Sequence, residues 1–211
     1  MSAAKPLQPR RKPKQERARL TQQAILDAFV RLLLEKGYGR LTMRDIANLA
    51  GVGLGTVYEH FPGKKAIAAN CIRQRFKGVA AEAERVMAAH AGKPVSVMID
   101  ALLDLFVALH SVRPEEWNAL IFLERQVSDE AVWRTLYEYF VDIWRRALLA
   151  SGSANGDAAY VVHAAVYGYL YQTLMCRPEA VATPLFRQQL GTLARAAAKG
   201  QKPGQSGKML P

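Results

Sequence analysis

The sequence predicts an all-α protein of about nine helices. Three observations lead there. Apolar residues recur at helical spacing from residue 16 to residue 198, and no run of strict alternation survives beside them. Gly37, Gly51, Pro62, Gly63 and Pro114 stand where those periodic segments should stop or start. Half of the 211 residues are apolar and 22% are charged, an ordinary composition for a soluble chain with a sizeable core.

The first helix is expected over 16–36. Ile25, Phe29, Leu32 and Leu33 share one face, and Gly37 suits a left-handed stop. Thr42 and Asp45 then have the spacing of a capping box, opening a short helix with Ile46, Ala47 and Leu49 on its inner side. Gly51, Val52 and Gly53 break it. A second short helix follows over 54–61 and ends at Pro62 and Gly63. A fourth runs over 64–89. Five more are expected over 94–112, 114–126, 129–150, 157–176 and 183–198. The segment 157–176 is apolar on nearly every side, yet His163, Gln172 and four tyrosines keep it from reading as a clean membrane span.

The charge is unevenly placed. The net charge is +11. Residues 1–78 carry 16 basic and 5 acidic side chains, while the remainder is balanced. A basic front on a neutral back points to a polyanion, nucleic acid before membrane; a solubilising tail is the plainer alternative. Two cysteines, Cys71 and Cys176, make no disulfide framework and fit a reducing cytoplasm. No apolar stretch follows the first basic residues, so a secretory signal is not expected. The expected layout is a basic flexible arm over 1–14, a small domain over 15–63, a connecting helix over 64–89, a helical domain over 90–199 and a disordered tail over 200–211.

Residues 42–61 carry the chemistry. Two short helices joined by a glycine-containing turn form a helix-turn-helix, with Val52 under the joint and Val57 and Phe61 pointing inward. So short a second helix needs the helices around it as a platform. That platform can present it to a DNA major groove, about 12 Å wide. Thr42 at a helix start, the Tyr58 hydroxyl, His60 and Lys64 are suited to phosphate, and Thr56 faces outward beside Tyr58. Arg44 can reach a guanine with two hydrogen bonds, or pair with Asp45 or Glu35. Tyr58 can instead close the small domain, and His60 can cap its own helix. Glu59 is expected at the rim. The arm from Arg10 to Arg19 can follow the DNA backbone.

Thr42, Ile46, Ala47, Ala50, Gly51 and Val52, then Gly55, Thr56, Val57, Tyr58, His60, Phe61, Pro62 and Lys64, resemble the DNA-binding signature of the tetracycline-repressor (TetR/AcrR) family. The likeness covers about residues 16–75; beyond residue 80 only the architecture is similar. The resemblance implies a homodimer on a palindromic double-stranded DNA operator, usually a repressor, with a C-terminal cavity for a small-molecule effector that releases DNA. It also implies DNA contacts at Arg44, Leu54, Gly55, Thr56, Tyr58, His60 and Lys64, with Thr42 at a phosphate-facing cap. Gly53 stands where the family usually has Ser or Thr, so that cap has no hydroxyl to offer. Leu54 can only pack on a thymine methyl, which leaves part of the specificity to DNA shape.

The C-terminal half is rich in aromatic residues. Phe106, His110, Trp117, Phe122, Trp133, Tyr137 and Tyr171 suit the lining of an apolar or aromatic ligand site. Each taken alone reads first as core, and His110 first as a satisfied core histidine. Val162, Val166, Tyr169, Phe186, Leu190 and Leu193 are expected to pair with copies of themselves in a two-fold four-helix interface. Enclosure of that helix within one subunit is the alternative. No enzyme, cofactor or metal is expected. His60, His90, His110 and His163 lack metal-ligand spacing, and Gly51, Gly53 and Gly55 follow no strand. The reading is a dimeric DNA-binding regulator released by a ligand. Control by a partner protein is the alternative, and a membrane partner is not expected.

Overall fold

The computed structural model describes residues 13–152 and 157–199. Most of the expected arm over 1–14, the tail over 200–211 and residues 153–156 of the loop before the eighth helix lie outside the described residues. Among the described residues there are nine α-helices, one 3-10 turn and no strand. The chain divides into two compact units between Ile72 and Arg73, inside the helix expected over 64–89.

The N-terminal unit holds α1 (Pro13–Lys36), α2 (Met43–Ala50), α3 (Leu54–His60) and the first turns of α4 (Lys64–Ala89). Its core is the stripe read from the sequence. Ile25, Phe29, Leu32 and Leu33 of α1 are buried, with Leu41, Ile46, Ala47, Val57, Phe61 and Ile67. Gly37 closes α1 at φ 75°, and its N–H donates to the Leu33 carbonyl at 2.9 Å. Gly51 ends α2 at φ 68°, with its N–H on the Ala47 and Asn48 carbonyls. Both are left-handed positions that favour glycine. Leu49 departs from its expected inward place and is 39% exposed. At 3.6 residues per turn it lies about 110° round from the midpoint of Ile46 and Ala47, on the flank of the helix.

The C-terminal unit packs the rest of α4 with α5 (Val95–Ser111), α6 (Pro114–Val127), α7 (Glu130–Ala150), α8 (Ala158–Cys176) and α9 (Pro184–Lys199). A short 3-10 turn, Pro178–Ala182, enters α9; five residues are too few to show a period in sequence. The core centres on Met98, Leu102, Leu103, Leu123, Ile143, Trp144, Leu148, Val162 and Leu190. Two arginines clamp α9 to α5. Arg187 donates to Asp104 at 2.5 Å and Asp100 at 3.1 Å, and Arg195 to Asp100 at 2.6 Å. Buried Gly191 leaves the space they share, since a Cβ there would meet Arg187 Nη1 at 2.9 Å.

The expected self-pairing residues are corrected here. Val162, Val166, Phe186 and Leu190 are buried inside the single chain and present no surface to a second copy. Tyr169 is half-buried, stacked on Phe186, with its hydroxyl donating to Gln189 at 2.5 Å. Of the six, only Leu193 is exposed. The apolar side chains that α8 and α9 do show to solvent are Tyr160, Val161, Met175, Leu185 and Leu193. A helix apolar all round has no stripe by which sequence can tell its inner side from its outer one. Among the described residues no single helix is long and apolar enough to cross a membrane.

Candidate nucleic-acid interface and ligand cavity

The helix-turn-helix is built by local bonds. Thr42 Oγ1 accepts from the Asp45 N–H at 3.1 Å, and the Thr42 N–H donates to Asp45 Oδ2 at 2.9 Å, completing a capping box. The Thr42 hydroxyl also donates to Asp45 at 2.8 Å, and Lys36 pairs with the same carboxylate at 3.1 Å. The Thr42 hydrogen bonds, then Lys36, hold that carboxyl below the usual carboxylate range. Thr42 therefore spends its hydroxyl inside the cap. Thr42→Ala is expected to lower the stability of this unit by about 1 kcal/mol in a thermal melt of the full chain.

At α3 the expected inner and outer faces separate. Val57 is fully buried and Phe61 nearly so, while Gly53, Gly55 and Tyr58 are exposed and Leu54 and Thr56 half-buried. Gly53 caps the helix with no side-chain bond. Arg44 is exposed on α2, while its alternative partners are engaged elsewhere, Asp45 by Thr42 and Lys36 and Glu35 by Arg31. His60 shares a surface groove with Gln15, Glu16, Arg19 and Gln22 of α1. Arg17 and Arg19 are exposed on the same helix.

Lys64 reaches back to the loop between α1 and α2. Its Nζ donates to the carbonyls of Tyr38 at 2.9 Å, Leu41 at 3.3 Å and Gly39 at 3.4 Å, and it sits 4.7 Å from the Tyr38 ring centre. All three ammonium hydrogens have acceptors in the loop between α1 and α2. Beside the phosphate contact expected of it, Lys64 thus has a scaffold role in holding the loop carbonyls.

A cavity opens within the C-terminal unit. Its volume is about 50 Å³. Of the seven expected lining residues, Phe106, His110, Trp133, Tyr137 and Tyr171 face it. Trp117 lies behind, tilted against His110 with ring centres 4.1 Å apart and its Nε1–H on the Leu109 carbonyl. Phe122 is 57% exposed and takes no part. Helical spacing alone put it on the same segment as Trp117 but could not fix its side.

Sequence reasoning missed the polar members. Glu124 and His163 line the cavity, and each carries a buried atom with no hydrogen-bond partner, as does His110. A lone charge on an apolar helix face was the available signal. His110 Nδ1 lies 2.6 Å from the Phe106 carbonyl and so must donate to it, which leaves Nε2 as a bare acceptor. Burial pushes His110 and His163 down to about 4 and pushes the Glu124 carboxyl up. Burial also raises the Tyr167 and Tyr171 hydroxyls. The arrangement is a dry aromatic box with neutral imidazoles and one hard-to-ionise carboxyl.

Residues 25–71 match the family model for bacterial regulatory proteins of the tetR family. The chain carries a tetR-family N-terminal unit. It is 31% identical over 117 residues to the HTH-type transcriptional regulator SAR0097 of Staphylococcus aureus, covering 54% of this chain and 59% of that protein. It is 32% identical over 111 residues to the HTH-type transcriptional regulator AcrR of Shigella flexneri, covering 53% and 50%. The chain thus spans only half to three-fifths of the curated relatives it matches most extensively. In fold the likeness runs further. The structure of SmeT, repressor of the Stenotrophomonas maltophilia multidrug efflux pump SmeDEF, superposes with TM-score 0.66 over 90% of this chain and 97% of that one, at 22% identity. SmeT has also been solved in complex with triclosan. The tetR-family match covers α2, α3 and the Lys64 cage, so the exposed face and the scaffold behind it fall within one unit.

Proposed function

We propose that the chain is a sequence-specific DNA-binding transcriptional regulator, acting as a homodimeric repressor that a small apolar or aromatic ligand releases from a palindromic operator. The observation that carries this is the outer face of the helix-turn-helix. Arg44, Gly55 and Tyr58 are exposed there on elements whose inner sides are closed by Ile46, Val57 and Phe61. The +11 charge excess, confined to the first 78 residues, supplies the sequence-independent attraction. The cavity with its unpaired polar atoms favours a small-molecule effector over control by a partner protein alone. The exposed apolar residues of α8 and α9 favour a second copy. Ligand binding weakens DNA binding only as far as the ligand prefers the conformer that fits the operator less well.

Selection of bound sequences from a random duplex pool, at two salt concentrations, tests the DNA reading. A palindrome with half-sites about 34–36 Å apart is expected. Arg44→Ala should weaken binding about tenfold and relax one position in each half-site. Tyr58→Phe should weaken all sequences alike. Retention without sequence preference that vanishes with salt would overturn the operator reading.

A further inference from the structure

The cavity's polar atoms specify what it holds. Three of its side chains, His110, Glu124 and His163, are at least nine-tenths buried, and each has a polar atom without a partner. Two of those atoms are acceptors by their chemistry. His110 Nε2 is one, because Nδ1 already donates to the Phe106 carbonyl. The other is Glu124 Oε1, a carboxyl oxygen that accepts from a donor when the group is ionised or when its proton sits on Oε2. The His110 ring cannot turn freely to hide its nitrogen, since the tilted Trp117 ring lies against it at 4.1 Å and Tyr171 at 5.7 Å. The rest of the wall is flat and aromatic. Tyr167 and Tyr171 stack at 4.1 Å, and Trp133 and Tyr137 at 5.3 Å. A buried acceptor left bare is costly, and a guest that brings a donor removes that cost.

We propose that the cavity selects compact aromatic molecules bearing an O–H or N–H donor and no negative charge, with His110 Nε2 and Glu124 Oε1 as the accepting atoms. This rests on the small-molecule reading of the cavity. It separates two guests of equal apolar bulk. A phenol or aromatic amine satisfies the bare acceptors, whereas a carboxylic acid of the same size brings two more acceptors and a charge that loses its water in the aromatic box. The flat stacked walls favour one or two rings over a long chain.

The test uses the full chain and three probes of one shape: biphenyl, 4-hydroxybiphenyl and biphenyl-4-carboxylate. Quenching of tryptophan emission reads binding, since Trp133 and Trp144 line the cavity. The hydroxyl compound is expected to bind about tenfold tighter than biphenyl, and the carboxylate weakest of the three. His110→Phe keeps the ring on Trp117 but removes the acceptor, so the hydroxyl advantage should shrink to about twofold while biphenyl itself still binds. Glu124→Gln should reduce the discrimination against the carboxylate. Equal binding of biphenyl and its hydroxyl derivative, or a preference for the carboxylate, overturns the proposal and leaves the ligand reading standing. An unchanged hydroxyl advantage in His110→Phe overturns the role given to that nitrogen. Failure of all three probes up to about 1 mM removes the ligand reading together with the proposal.

Discussion

Below pH 6.5 the C-terminal unit should lose stability steeply, by about 3 kcal/mol for each of two histidines by pH 4. His110 and His163 are buried, and burial pushes both from the ordinary 6.5 down to about 4. Above pH 6.5 neither the folded nor the unfolded chain protonates them, so the full stability is present. As the pH falls from 6.5 towards 4, the unfolded chain takes up protons that the folded chain refuses. Unfolding gains about 1.4 kcal/mol per pH unit per ring over that window, and the slope flattens once the folded rings also protonate. Glu124 acts in the opposite sense. Burial raises its carboxyl, so the folded chain gains a proton first and recovers part of the loss. All three tryptophans, Trp117, Trp133 and Trp144, lie in this unit, so their emission in urea titrations from pH 7.5 to 4.5 reports it alone. His110→Phe should halve the slope, and Glu124→Gln should steepen it. A flat profile between pH 7 and pH 5 would mean that water reaches both rings.

The parts of the molecule legible in sequence are those whose causes are local. The α2 cap needs only Thr42 and Asp45, three residues apart, and the sequence shows that spacing directly. The α1 stripe of Ile25, Phe29, Leu32 and Leu33 needs only helical period, and the helix ends at Gly37, Gly51 and Pro62 need only backbone preferences. What failed depended on distant partners. In α8 nearly every side chain is apolar, so Val162 and Val166 could not be told from Tyr160 and Val161; the difference comes from α7 and α9 packing on one side. Phe122 and Trp117 share α6, yet only the latter meets His110 from α5. Glu124 interrupts the apolar face of α6 and His163 that of α8. They became functional candidates only once the fold placed their unpaired atoms at one cavity.

Lys64→Ala should lower the stability of the N-terminal unit by about 1.5–3 kcal/mol, the range for hydrogen bonds to a charged donor. The ammonium holds the carbonyls of Tyr38, Gly39 and Leu41, which lie 23 to 26 positions earlier in the chain. Those residues form the loop that sets where Thr42 starts α2, so Lys64 acts on the helix-turn-helix through its scaffold. Hydrogen exchange over residues 37–60 should speed up in the variant. Lys64→Arg should restore only part of the protection, because a planar guanidinium cannot direct three donors at three carbonyls around one point. DNA binding separates this role from a phosphate contact. A lysine that neutralises one phosphate contributes about 0.9 to the slope of log affinity against log salt concentration. A lysine caged by the loop contributes nothing to that slope, and its removal lowers affinity equally at every salt concentration. Faster exchange with an unaltered slope is the expected pair of results. Unchanged exchange with a slope shallower by about 0.9 would instead return Lys64 to the DNA backbone, with its cage a resting state that the operator breaks.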